Sequence, residues 1–134
     1  KGRYQVLVAN LQGTVYLDSI ENPFDAADRI TAYAEDNGIK TVLIDFHAEA
    51  TSEKLAFANY FDGQVTAVVG THTHVQTADE KILPKGTAYI TDLGMVGAEN
   101  SILGMTIEPV IKRFMTGRPS KFEVAEGAAR GSHP

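Results

Sequence analysis

Two continuous apolar runs, each followed closely by histidine, constrain the fold of this chain more than any other feature. The first run covers residues 41–46 and the second covers residues 65–69. Runs of this length are typical of strands buried on both faces of a sheet. Between them, residues 50–61 carry apolar side chains at helical spacing, after a capping pattern at residues 51–54. A strand–helix–strand unit of this kind predicts neighbouring parallel strands, and therefore an α/β fold.

The same alternation continues on both sides of this unit. The other predicted strands are residues 4–9, 11–17, 87–92 and 121–124, and the other predicted helices are residues 22–37 and 108–117. A chain of 134 residues suits one domain with a single core, to which we assign residues 1–127. Residues 128–134 are small, polar and without pattern, so we expect a disordered or vector-derived tail there.

Three of the four histidines follow the two apolar runs. His47 comes directly after the first run, and His72 and His74 come after the second. Because the carboxyl ends of parallel strands meet at one edge of a sheet, where ligands commonly bind, we expect these side chains to lie close together. Neutral imidazole is a common ligand of transition metals, and a His-x-His pair on an extended segment has both rings on one side. His133 lies in the predicted tail and is left out of the metal hypothesis.

Other interpretations of these residues stay open from their spacing alone. A histidine after a strand is often a surface or turn residue, and a serine–histidine nucleophile would have no GxSxG elbow in this sequence. Asp45 and Glu49 lie within two residues of His47, and either carboxylate could orient an imidazole by accepting its second N–H. The residues by themselves therefore allow a metal site as well as incidental histidines.

The composition of the chain argues against nucleic-acid and membrane partners. The net charge of −5 and the lack of a basic stripe argue against an extended nucleic-acid surface. No apolar run approaches the roughly 20 residues that span a bilayer, and the first residues do not resemble a signal peptide, so we expect a cytoplasmic protein without a membrane partner. The absence of cysteine excludes disulfides, thiolate metal sites and cysteine nucleophiles. A bound metal could still attract a phosphate-bearing substrate, because it would be the largest local charge.

The chain resembles one known family in its two histidine motifs. It is similar to the bacterial YmdB-like metallophosphoesterases, a branch of the calcineurin-type phosphoesterases, in residues 44–54 (IDFHAEATSEK) and 69–80 (VGTHTHVQTADE). The resemblance continues through residues 82–92 and 113–126. It implies part of a four-layer α/β/β/α sandwich with two divalent transition-metal ions, iron or manganese, with zinc as another candidate. The implied reaction is hydrolysis of small phosphodiesters such as 2′,3′-cyclic nucleotides.

The resemblance also implies a role for each histidine. His47 and His72 would bind one ion, and His74 would bind the other. Two such ions would polarise the phosphoryl oxygens and supply a hydroxide at neutral pH. Family members also have an N-terminal half with an aspartate, a bridging glutamate, asparagines and a histidine that assists catalysis, so the general acid is expected there. The resemblance thus implies a C-terminal portion of the complete enzyme, and a start without methionine agrees with a fragment.

These implications set two expectations for function. The complete protein is expected to be a metal-dependent phosphodiesterase, and this chain alone is expected to be inactive, because a bridged metal pair needs an anionic ligand. The alternative is a catalytically inactive metal-binding or dimerising module. Half of a sandwich would expose the apolar face meant for its other half, which would favour a homo-oligomer.

Overall fold

The computed structural model describes residues 4–18 and 20–131 of the chain. Its elements in chain order are β1 (Val6–Gln12), α1 (Pro23–Asp36), β2 (Thr41–His47), α2 (Thr51–Tyr60), β3 (Ala67–Thr71), β4 (Lys81–Ile82), β5 (Ala88–Ile90), β6 (Val96–Ala98), α3 (Ile107–Thr116) and β7 (Ala129–Gly131). No helix within these residues is both long and apolar enough to pass through a lipid bilayer.

A five-stranded sheet with the order β1-β2-β3-β5-β4 organises the fold. The first four strands in this order are parallel, and β4 is antiparallel to β5 at the edge. The predicted α/β class is therefore confirmed. The register places Gln12, His47 and Thr71 side by side across β1, β2 and β3, at the carboxyl edge of the sheet.

The first helix begins and ends where the sequence predicts. The side chain of Asn22 accepts a hydrogen bond from the backbone N–H of Phe24 at 3.0 Å, and Pro23 occupies the first helical position. The helix stops before Gly38, which adopts a positive φ of 66°. These local signals fix the ends of α1 because they satisfy backbone groups that the helix itself leaves unpaired.

The second helix begins at the predicted residue without the predicted cap. Within the described residues, its N-cap residue Ala50 makes no side-chain capping hydrogen bond. The carboxylate of Glu53 instead accepts from the backbone N–H of Thr14 at 2.8 Å. Glu53 therefore ties α2 to the segment after β1, and the capping interpretation of residues 51–54 is wrong.

The hydrophobic core lies between one face of the sheet and the helices α1 and α2. Phe46 of β2 stacks on Phe57 of α2 with ring centroids 4.2 Å apart, and both side chains are fully buried. Burial of one such side chain stabilises the fold by about 1.5–3 kcal/mol. The other buried members of this core are Ala27, Ala34, Val42, Ile44, Ala48, Ala58, Phe61, Val65, Val68, Leu83 and Tyr89.

The opposite face of the sheet is only partly covered by the described residues. Val6 and Val8 of β1 are 51% and 70% exposed. In β2, Leu43 alternates with fully buried residues and is itself half-buried. We call this the open face, made up of Val6, Val8, Leu43, Ala67 and Val69. The prediction that the apolar runs are buried on both faces is therefore wrong for this part of the chain.

The remaining differences from the predicted elements concern short segments. Residues 13–17 form a turn after β1 instead of a strand, and residues 121–124 contribute only an isolated bridge between Met105 and Val124. Three residues of the expected disordered or vector-derived tail, Ala129–Gly131, pair with β6 in a small antiparallel sheet. Residues 132–134, including His133, lie outside the described residues.

Candidate functional site

The carboxyl edge of the parallel sheet brings two of the predicted histidines into contact. His47 is the last residue of β2, and His72 directly follows β3. Their rings are nearly perpendicular, with an interplanar angle of 87° and centroids 4.8 Å apart. The Nε2 atom of His47 lies 3.0 Å from the Nδ1 atom of His72. The parallel pairing of β2 with β3 therefore brings these two histidines together, as predicted from their positions at the strand ends.

The third histidine occupies a neighbouring position. His74 is exposed and lines a cavity of about 200 Å³ beside the glycine-containing segment from Met95 to Gly104. Both His72 and His74 have positive φ values, 116° and 68°, in a region that side chains other than glycine rarely adopt. The backbone turns sharply between them, so that the two rings are not presented along an extended strand as the spacing predicts.

Each of the two predicted carboxylates lies near a histidine. The Oε2 atom of Glu49 is 2.8 Å from Nε2 of His72, so Glu49 contacts His72 and not its sequence neighbour His47. Asp45 accepts a hydrogen bond of 2.7 Å from the hydroxyl of Thr71. That same hydroxyl oxygen is 3.2 Å from Nδ1 of His47, so Asp45 reaches His47 through Thr71.

A buried ion pair supports the turn that carries His72 and His74. The Nζ of Lys54 is 3.1 Å from the carboxylate of Asp92, and the two side chains are 1% and 0% exposed. Asp92 also accepts from the backbone N–H groups of Thr73 at 3.0 Å and Gly94 at 2.8 Å. Burial is the largest influence on the pKa of Asp92 and raises it, but the hydrogen bonds from Thr73, Gly94 and Lys54 outweigh burial, so the pKa lies below its ordinary value. An ionised Asp92 thus holds Thr73, the residue between the two histidines.

Close packing of the backbone completes this edge of the sheet. A Cβ atom added to Gly70 would lie 1.8 Å from the carbonyl oxygen of Thr91, which leaves no room for any side chain. The carbonyl of Gly70 accepts from the backbone N–H of Leu93 at 2.9 Å. Gly70 therefore lets the segment after β5 pass directly against the end of β3.

Sequence reasoning missed four residues that shape the site. Asn10, Thr71, Lys54 and Asp92 were not singled out, although Thr71 stands beside His72 in the Gly-Thr-His-Thr-His motif. Asn10 donates its side-chain amide to Asp45 at 2.8 Å from the neighbouring strand. The register of β1 with β2 could have indicated this contact, since it pairs Asn10 with Asp45.

The two facing nitrogens are compatible with ligation of one metal ion. Ligand nitrogens about 2.1 Å from an ion at a right angle are separated by about 3.0 Å, close to the observed distance between His47 and His72. Among the described residues, no three His, Asp or Glu side chains converge as a metal-binding group. The arrangement thus fits part of a metal site and would need further ligands to complete the coordination shell.

Several known proteins are similar to this chain, and those whose names state an activity are called phosphodiesterases or phosphatases. The family described as "YmdB-like protein" matches residues 1–132. The 2′,3′-cyclic-nucleotide 2′-phosphodiesterase of Bacillus subtilis (strain 168) is 58% identical over 123 residues, which cover 92% of this chain and 46% of that protein. The crystal structure of a novel phosphatase from Mycoplasma pneumoniae is 42% identical, with a TM-score of 0.79, and the match covers 91% of this chain and 43% of that one.

A second solved structure agrees with the first. The crystal structure of a hypothetical protein from Thermus thermophilus is 48% identical, with a TM-score of 0.82 over 91% of this chain and 47% of that one. The chain therefore spans a little less than half the length of the relatives that it matches. Since the fold is shared at high sequence identity, the positions of β2, β3 and their histidines can be interpreted within this family.

Proposed function

Since this chain belongs to the YmdB-like protein family, we propose that it carries the histidine part of the active site of a metal-dependent phosphodiesterase. The observation that carries the proposal is the contact between His47 Nε2 and His72 Nδ1, 3.0 Å apart at the carboxyl edge of the sheet. Two imidazole nitrogens held this way at the ends of adjacent strands would supply part of the ligand set of a metal ion.

The substrate class follows from the named relative. The Bacillus subtilis protein is called a 2′,3′-cyclic-nucleotide 2′-phosphodiesterase, and it is 58% identical to this chain. We propose the same class of small cyclic phosphodiester for the protein that contains this chain. The net charge of −5 would by itself repel an anionic substrate. Bound cations at the histidines would reverse that local charge.

We propose that the site holds two divalent transition-metal ions, iron or manganese, with zinc as the other candidate. His47 and His72 would bind one ion and His74 the other. When bound, such ions polarise phosphoryl oxygens and lower the pKa of a bound water. The chain's own residues then position the ligands: Glu49 contacts His72, and Asp92 fixes the backbone between His72 and His74.

The proposed centre needs groups that these three histidines do not supply. A bridged pair of ions requires an anionic ligand, and the reaction requires a general acid. We propose that both come from a second part of a four-layer α/β/β/α sandwich, which would cover the open face. The exposed valines Val6 and Val8 support this placement, because they leave an apolar surface uncovered by the described residues. This chain alone is then inactive as a phosphodiesterase.

The open face also supports a second candidate, an inactive metal-binding module that forms a homo-oligomer. Association through Val6, Val8 and Leu43 would bury apolar surface in a similar way. Sedimentation of the 134-residue chain, compared with Val8→Lys, separates the candidates. An oligomer that Val8→Lys disrupts, together with no hydrolysis in any longer form, favours the module.

The main experiment compares hydrolysis of 2′,3′-cyclic AMP by this chain and by a protein that contains it and has the full length of its relatives. We expect metal-dependent hydrolysis by the longer protein, removed by a chelator and restored by Mn²⁺. His47→Ala and His72→Ala should abolish it, whereas Asp62→Asn, a change at the opposite edge of the sheet, should not. Hydrolysis that is insensitive to the chelator and to both histidine variants would refute the proposal.

A further inference from the structure

Asp45 reaches His47 through the hydroxyl of Thr71, and the donor and acceptor of each hydrogen bond in this series can be assigned. We infer that Thr71 and Asp45 together act as a positioning device that keeps the proton of His47 on Nδ1 and leaves Nε2 free to bind a cation. The inference rests on the proposed function for the identity of the bound cation. The position of the proton on the ring can be measured without any metal.

The direction of each hydrogen bond follows from the groups that take part. The hydroxyl of Thr71 donates its single hydrogen to Oδ1 of Asp45 at 2.7 Å, since a carboxylate can only accept. The oxygen of Thr71 is then left as an acceptor for the nearby Nδ1 of His47, at 3.2 Å. Nδ1 must therefore carry the hydrogen, and in a neutral imidazole the lone pair is on Nε2.

The second ring is consistent with this assignment. With the hydrogen of His47 on Nδ1, its Nε2 can only accept, so the hydrogen bond of 3.0 Å between the two rings is donated by Nδ1 of His72. Oε2 of Glu49 lies 2.8 Å from the other ring nitrogen of His72, Nε2. A cation bound at Nε2 of His47 would take the place of the hydrogen between the rings, with a carboxylate on the outer side of each ring.

The position of Asp45 is itself set by the sheet. Asn10 on β1 donates to the second carboxylate oxygen of Asp45 at 2.8 Å, so both oxygens of Asp45 are used. Asn10, Asp45 and Thr71 lie on three adjacent parallel strands. Residues on strands hold their side chains more rigidly than loop residues do, which suits a group that must orient a ligand.

The test reads the tautomer of His47 in the metal-free 134-residue chain by two-bond ¹⁵N–¹H NMR. The two-bond couplings show directly which of the two ring nitrogens carries the hydrogen. We expect the Nδ1–H form in the unchanged chain and in Thr71→Ser, which keeps the hydroxyl. In Thr71→Val the acceptor is lost, and the proton should move to Nε2. Thr106→Val is the matched control, because the buried hydroxyl of Thr106 has no hydrogen-bond partner among the described residues.

A second variant keeps the inference testable if Thr71→Val does not fold. In Asp45→Leu the hydroxyl of Thr71 loses its carboxylate acceptor and can donate to Nδ1 of His47 as well as accept from it, so the fraction of the Nδ1–H form should fall. An unchanged Nδ1–H form in a folded Thr71→Val or Asp45→Leu chain would overturn the inference. So would failure of Thr71→Ser to preserve the Nδ1–H form.

Metal titration separates this inference from the proposed function. Zn²⁺ affinity should fall by about 10–100-fold in Thr71→Val, as is typical for loss of a group behind a metal ligand. It should change less than about threefold in Thr71→Ser and Thr106→Val, since both keep this contact. A tautomer shift as expected, with no Zn²⁺ binding to any form of the chain, would support the positioning role and contradict the metal site.

Discussion

The ammonium of Lys54 lies 3.1 Å from the carboxylate of Asp92, and the two residues are the only oppositely charged pair of the described chain in which both side chains are buried. The pair joins α2 to the end of β5, and Asp92 in turn holds the backbone of Thr73. Removing two charges from water is costly, so the pair contributes to stability only as long as both partners are present.

Neutralising one partner should therefore destabilise the fold much more than neutralising both. We expect Lys54→Met and Asp92→Asn each to lower the free energy of unfolding by about 3–5 kcal/mol, because each leaves a buried charge unpaired. The double variant should lose less than the sum of the two. Urea denaturation of the four forms in a double-mutant cycle measures this coupling.

The exposed ion pair Arg29–Glu21 is the control for this cycle. Its side chains are 62% and 53% exposed, so its coupling energy should stay below about 1 kcal/mol. A Lys54–Asp92 coupling as small as that of Arg29–Glu21 would show that the buried pair does not act as a unit.

Stability should also fall in acid through Asp79. Burial has the largest single influence on the pKa of Asp79 and raises it, but hydrogen bonds donated by Thr77 and Thr91 outweigh it and lower the pKa. The unfolded chain thus binds the proton more readily. The stabilisation is complete above the ordinary carboxyl pKa of about 3.9 and is lost as pH falls through the lower pKa of the folded state.

The measurement is the free energy of unfolding from pH 6 down to pH 2. Asp79→Asn should be less stable than the unchanged chain at pH 6, and its stability should fall less steeply below about pH 4. If the two curves stay parallel over this range, the hydrogen bonds of Asp79 do not favour its ionised form.

Gly70 should tolerate no side chain. Gly70→Ala would place a methyl group 1.8 Å from the carbonyl oxygen of Thr91, and we expect the free energy of unfolding to fall by about 3 kcal/mol or more. Gly38→Ala is the matched control, since Gly38 has a positive φ of 66° and open space around it. It should lose only about 1–2 kcal/mol from backbone strain. Equal losses in the two variants, measured in urea, would argue against the close approach at Gly70.

Capping residues and apolar runs in the sequence correctly predicted one helix and two strands of the fold. The ends of α1 follow from Asn22, Pro23 and Gly38, and the strands β2 and β3 follow from their apolar runs. Glu53 shows the limit of this reasoning. Its position suits a helix cap, yet its carboxylate binds the backbone of Thr14, 39 residues away in sequence. A long-range contact replaced the local one because it satisfies backbone N–H groups in a turn that the sequence pattern predicted as a strand.

The sequence predicted which histidines lie together at the site, but not the residues that hold them. The strand-end argument placed His47 beside His72 correctly, because parallel strands must end at one edge. It did not indicate that Thr71 would link His47 to Asp45, since that contact depends on the register of β2 with β3. Nor did it indicate the pairing of Lys54 with Asp92, which lie 38 residues apart in sequence and are brought together by the packing of α2 on the sheet.

We expect the three histidines to differ in their effect on binding of the first metal ion. Because His47 and His72 face each other at 3.0 Å, His47→Ala and His72→Ala should each weaken the first Zn²⁺ equivalent by more than about 100-fold, beyond the loss expected from groups behind a ligand. The Zn²⁺ affinity of the double variant should be no lower than that of the single variant with the lower affinity, since both changes remove ligands of the same proposed ion. His74→Ala should leave that first equivalent nearly unchanged, because His74 lines a separate cavity. Isothermal titration calorimetry of the four variants measures these affinities. If His74→Ala weakens the first equivalent as strongly as His47→Ala does, all three histidines bind one ion, and the assignment of His74 to a second ion is wrong.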